Sequence, residues 1–107
     1  MTLAAPTRET AAIRERIDRH RAEIERIARA HKVARLRVFG SVARGEAGPE
    51  SDLDLLVKWG EGASLFDWVG VERELSALLD TPVQLTDEDH IHWYIRDRVL
   101  AEAAPLP

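Results

Sequence analysis

The chain has 107 residues, 45% of them apolar and 32% charged, so one domain spanning 1–107 with a single core is expected, without disorder or a separate substrate-holding domain. It contains no cysteine, so disulfides and thiolate-bound zinc are excluded. No apolar run nears the roughly 18 residues of a membrane span. A net charge of −4 and a pI near 5.5 argue against direct nucleic-acid binding, which favours a basic surface.

Met1 to Pro6 lacks a signal-peptide pattern, so the cytoplasm is the expected compartment and no membrane partner is expected. Residues 1–6 and 104–107 are expected to be frayed termini. From Thr7 to His31 the spacing predicts one long helix, with Ile13, Ile17, His20, Ile24 and Ile27 on one stripe. Thr7 or Thr10 serves as its N-cap, and His31 at its end suits the helix dipole. His20 reads as a packing histidine. The charge is unevenly spread: Arg8 to Arg37 carries ten basic and five acidic residues, Glu46 onward four basic and fourteen acidic. Leu36 and Val38 alternate with Arg35 and Arg37 and end at Phe39, which predicts a strand. Gly40 to Glu50 has room for one helical turn. Leu53 to Val57 is apolar and reads as a central strand. Trp59 to Ala63 reads as a loop. Ser64 caps a helix to about Leu79, with Leu65, Val69, Glu72, Leu75, Leu78 and Leu79 near its inner face. Asp80 to Pro82 is a break, Val83 to Leu85 a short strand, and Asp87 the cap of a last helix with Ile91, Ile95 and Val99 on one side. The pattern is α/β (α+β): a small mixed sheet with helices packed on it.

The informative stretch runs from Gly40-Ser41-Val42-Ala43-Arg44-Gly45 to Ser51-Asp52-Leu53-Asp54-Leu55. A glycine directly after a strand lets a bulky group approach the backbone. Backbone N–H groups and the Ser41 hydroxyl form an anion site, and Arg44 adds a cation one turn later. Asp52 and Asp54 are two residues apart at a strand start, so both carboxylates lie on one face with Cα atoms roughly 6.5 Å apart. They repel unless a cation sits between them. Oxygen-only ligands suit magnesium, which also takes phosphate oxygens and water. A phosphate cradle thus lies beside a metal pair.

Gly-Ser, ten residues, then Asp-x-Asp is the signature of the DNA polymerase β-like nucleotidyltransferase superfamily. Phe39 to Gly45 with Ser51 to Val57 resembles its minimal nucleotidyltransferase branch, the single-domain antitoxins paired with HEPN-domain toxins. The resemblance runs from about Val38 to Ala103. It implies the polymerase β-like palm fold and transfer of AMP from ATP to a hydroxyl, with a tyrosine of an RNase-like partner encoded alongside as the acceptor. It implies that Gly40, Ser41 and Arg44 bind the nucleotide triphosphate. Asp52 and Asp54 would be catalytic and hold Mg2+ in a two-metal site, the ions roughly 3.5–4 Å apart. A salt bridge from Arg44 to Glu46 or Glu50 is an equal reading of that side chain.

The family's third acid lies in a Val-Asp-hydrophobic stretch after a proline. Here that stretch is Pro82-Val83-Gln84-Leu85, so Gln84 stands at an altered third acidic position. A glutamine cannot act as a general base or bring charge to a metal, and loss of a general base costs roughly 10²–10⁴-fold in rate. Weak transferase and catalytically silent antitoxin that neutralises its partner by binding are therefore both open, as is a homo-oligomer. A small-molecule-modifying transferase is disfavoured by the lack of an acceptor-holding domain. His90 and His92 are spaced for different helix faces. Trp59, Phe66 and Trp68 read as core or interface packing, and one of Trp93 and Tyr94 as an interface residue.

Overall fold

The computed structural model describes residues 5–106. Thr7 caps the first helix, α1 (Arg8–Arg19), its hydroxyl accepting the Thr10 N–H at 3.2 Å. The predicted single helix is two: α2 (Arg21–Ala30) follows after His20, whose φ of −105° and ψ of 20° bend the chain. The bend sends α2 onto the sheet while α1 continues towards the 40s loop. His20 is half-buried, as read, and its ring meets Glu23 at 3.2 Å.

The strands are β1 (Val33–Phe39), β2 (Leu53–Trp59), β3 (Val83–Asp87) and β4 (Ala104–Pro105). Their order is β3-β2-β1-β4, with β2 central as expected. β1 pairs antiparallel with β2 and β4, and β2 pairs parallel with β3. This is the mixed α/β class read from the sequence. Trp59 belongs to β2, not to the loop, and packs on Trp68 at 5.8 Å between ring centroids. The chain end is not frayed through Leu106. Ala104 and Pro105 pair with Val38 and Arg37, and Leu106 packs on the core. Of the expected frayed residues, Met1–Ala4 and Pro107 lie outside the described residues.

Alternation along the strands divides the sheet into two faces. Val38, Leu53, Leu55, Val57, Val83 and Leu85 form the main core with Ile13, Ile17, Ile24, Val71, Leu75 and Leu79. Leu56 and Phe39 on the other face pack with Ile91, Ile95 and Val99. Among the described residues, only α5 (Trp93–Glu102) of the long helices serves that second face, so Asp54 stays half-buried and Gln84 exposed.

The helix α4 (Leu65–Leu79) is rotated from its predicted phase. Asp67, Val71, Leu75 and Leu79 face inward, whereas Leu65 is 76% exposed and Val69 46%. The cause is polar. Asp67 accepts the Ser64 N–H at 2.8 Å in a capping box and also meets His31 at 3.1 Å, which holds the first turn with Asp67 inside. His31 is a clasp as well as a helix-end cation: its other nitrogen meets Glu74, and these carboxylates raise its pKa. Glu72, read near the inner face, accepts the Leu85 N–H at 3.1 Å, and Ser76 that of Val83 at 2.9 Å. Two donors on the outer edge of β3 are thereby covered. Asp87 caps a 3-10 turn, Glu88–His90, and α5 begins later, at Trp93.

Candidate functional site

β1 ends at Phe39, and Gly40 opens the short helix α3 (Gly40–Arg44) with a φ of +75°, open to glycine and strained for other residues. A Cβ on Gly40 would strike the Asp54 carboxylate and lie 3.2 Å from its Cγ. The glycine is therefore needed twice, for backbone and for contact. Gly45 closes α3 at φ +78°, and Arg14 donates to the carbonyls of Val42 and Ala43 at 2.8 and 3.2 Å. Thr10, which is buried, and Thr7, which is half-buried, grip Ala47 at its N–H (2.9 Å) and carbonyl (2.7 Å) respectively. The excursion that separates Gly-Ser from Asp-x-Asp is thus tied down by α1. Ser41 is the second residue of α3, whose N-cap is Phe39.

Asp54 pairs across the sheet with Phe39 on one side and Gln84 on the other. In-register neighbours share a face, so Gln84 projects beside Asp54, where the sequence places the altered third acid. Asp52 precedes β2 and is exposed. Burial first, then the nearby Asp52 charge and that of Glu102, raise the Asp54 pKa, and Arg44 opposes them. Two carboxylates in that state call for a cation. Among the described residues no group of three or more metal-ligating side chains converges. A magnesium ion bound with substrate takes one or two carboxylates and completes its octahedron with phosphate oxygens and water. Asp52 and Asp54 fit that role.

Sequence reading missed Glu102. From the last turn of α5 its Oε2 accepts the Gly40 N–H at 3.2 Å, and its Oε1 accepts from Arg44 Nη1 at 3.0 Å. Arg44 Nε also meets Glu46 at 3.3 Å, one of the two salt bridges considered for it. These partners raise the Arg44 pKa further, Glu102 most. A signal for Glu102 was present: an acid at a helix C-terminus opposes the macrodipole and calls for partners elsewhere.

The remaining candidates do not join the site. His90 bonds to Asp87 at 2.9 Å, while His92 lies against Trp93 and Tyr94, so each imidazole has its own surroundings. Trp93 and Tyr94 are both exposed, at 81% and 72%, and so is Phe66.

Gly40→Ala should destabilise the protein by about 2–4 kcal/mol, combining left-handed backbone strain with the clash at Asp54. Gly45→Ala should cost only about 1 kcal/mol, because its Cβ would sit 3.4 Å from the Pro6 Cα. Denaturant melts of the two variants compare these costs directly; equal losses would show that Asp54 does not crowd Gly40.

The family model described as nucleotidyltransferase domain matches residues 17–105. A protein of Methanocaldococcus jannaschii assigned as a protein adenylyltransferase is 42% identical over 76 residues, covering 71% of this chain and 82% of that one. A solved structure assigned as a minimal nucleotidyltransferase superposes with TM-score 0.76 at 41% identity, covering 87% of this chain and 95% of the other. The fold also recurs in a complex of a tri-AMPylated HEPN toxin with its MNT antitoxin from Shewanella oneidensis. That match has TM-score 0.60 at 18% identity, over 84% of this chain and 71% of the other.

Proposed function

The chain belongs to the nucleotidyltransferase-domain family, and we propose that it is a protein adenylyltransferase, the antitoxin of a HEPN-type toxin. It transfers AMP from ATP to a tyrosine hydroxyl of that RNase-like partner, in the cytoplasm where ATP is present. The observation that carries this reading is the contact at Gly40: only a glycine lets the predicted phosphate cradle abut the Asp54 carboxylate. The adenylyltransferase assignment of the M. jannaschii relative and the AMPylated toxin in the complex of the same fold support a HEPN-type protein as the partner that accepts AMP.

Members of this family use a nucleoside triphosphate and a divalent metal. Bound Mg2+ would neutralise phosphate charge and favour the ionised acceptor hydroxyl. The Gly40 N–H, the Ser41 hydroxyl and Arg44 bind and orient the triphosphate. Asp52 and Asp54 place their carboxylates where cations are wanted. The acceptor oxygen bonds to the α-phosphorus, the bond from that phosphorus to the bridging oxygen breaks, and pyrophosphate leaves. Gln84 cannot take up the hydroxyl proton, so this position supplies no general base. That observation also favours a second reading, an antitoxin that silences its partner by binding alone.

The test is to incubate the protein with ATP labelled at the α-phosphate, Mg2+ and the HEPN-type partner, then map the label. Label on a partner tyrosine is expected. An unlabelled but inhibited partner under Mg2+, Mn2+ and Co2+ alike would overturn the enzymatic reading in favour of the binder.

A further inference from the structure

Glu102 lies where neither the Asp-x-Asp strand nor the Gly-Ser turn requires an acid. Its two oxygens bridge the Gly40 N–H, at 3.2 Å, and the Arg44 guanidinium, at 3.0 Å. A backbone donor plus a guanidinium is also how proteins hold a phosphate oxygen pair. We propose that Glu102 is a positioning residue of the nucleotide site: its carboxylate occupies a phosphate's place in the free protein and is displaced when a triphosphate binds. This rests on the nucleotide reading above.

Two repulsions oppose Glu102 where it sits. The α5 macrodipole is negative at that end. Gly40, whose N–H Glu102 accepts, also abuts the Asp54 carboxylate, so two like charges flank the same glycine. The Glu102 side chain is only 19% exposed, so water screens these repulsions incompletely. What retains it is the cradle itself. A carboxylate held this way keeps the Gly40 N–H and the exposed Arg44 guanidinium aligned, yet yields to a ligand with more charge and its own cations. Arg44 stays anchored during the exchange through Glu46. The cost is competition: every triphosphate that binds must first free the cradle.

The experiment is calorimetric titration of wild type, Glu102→Gln and Glu102→Asp with ATP, with and without Mg2+, and with adenosine. Glu102→Gln should bind ATP roughly ten-fold more tightly, since a charge-assisted bond is removed from the competing side. The gain should be larger without Mg2+. Glu102→Asp should stay near wild type, and adenosine affinity should not change, whereas a merely structural role would move both ligands together. Carboxyl-carbon NMR of the wild type gives a check that needs no variant: ATP should shift the Glu102 resonance together with the Gly40 amide. Equal or weaker ATP binding by Glu102→Gln, or a Glu102 resonance that stays fixed while Gly40 moves, overturns the proposal alone. If no form binds ATP, the nucleotidyltransferase reading falls and this one falls with it.

Discussion

Asp54→Asn and Asp52→Asn should each reduce transfer of label from ATP to the partner by on the order of 10²–10³-fold or more, the loss seen when one preorganised electrostatic group is removed from a transition state. Asparagine keeps the shape and loses the charge, so the fold should survive. For Asp54 the sign of the stability change separates function from structure. Its folded pKa is raised by burial and by Asp52. A raised carboxylate pKa means that ionisation costs stability once the pH exceeds the ordinary value, and that the cost vanishes at low pH. Asp54→Asn should therefore melt at or above the wild-type temperature at pH 7, with the difference disappearing as the pH approaches 4. Thermal melts across that range measure it. A variant less stable at every pH would mean that Asp54 is a structural residue. Loss of activity with retained or raised stability would mark a carboxylate kept for function against the interest of the fold.

Much of this site was legible because its signals are local. A glycine after a strand, then two acids at the period of a strand, specify backbone geometry and facing direction within a few residues. The central position of β2 was equally legible from its unbroken apolar run. Errors arose where distant groups decide. The phase of α4 follows Asp67, whose partners are Ser64 nearby and His31 across the fold, and hydrophobic periodicity does not register a buried carboxylate. The C-terminal residues look like a loose tail because Pro105 suggests no strand, yet an edge strand tolerates proline and β1 had an edge to cover. Glu102 was missed for the same reason. Its partners, Gly40 and Arg44, lie about sixty residues away, and only the chain's return along α5 brings them together.

Gln84→Asp should raise the transfer rate by up to roughly 10²-fold, the lower end of what a positioned general base contributes. The register makes this more than a sequence argument. Gln84 pairs with Asp54 in the parallel ladder, so a carboxylate there shares its face. The side chain is exposed, so an aspartate can be introduced without repacking the core. The new charge also has a cost. With Asp52 and Asp54 already repelling each other, a third acid should destabilise the metal-free protein by about 1 kcal/mol, the scale of a like-charge cross-strand pair. For a chain of this size that lowers the melting temperature by roughly 4–8 °C. Magnesium should restore most of it, because a cation that binds the native site stabilises by mass action. The wild type should gain less from magnesium, having one carboxylate fewer. The two effects are linked: if the third acid belongs to the site, faster transfer and magnesium-dependent recovery appear together. A rate equal to wild type with an unrestored melting temperature would mean that Gln84 lies beside the site without belonging to it. Silence in both forms, with the partner still neutralised, would leave binding as the means of inhibition.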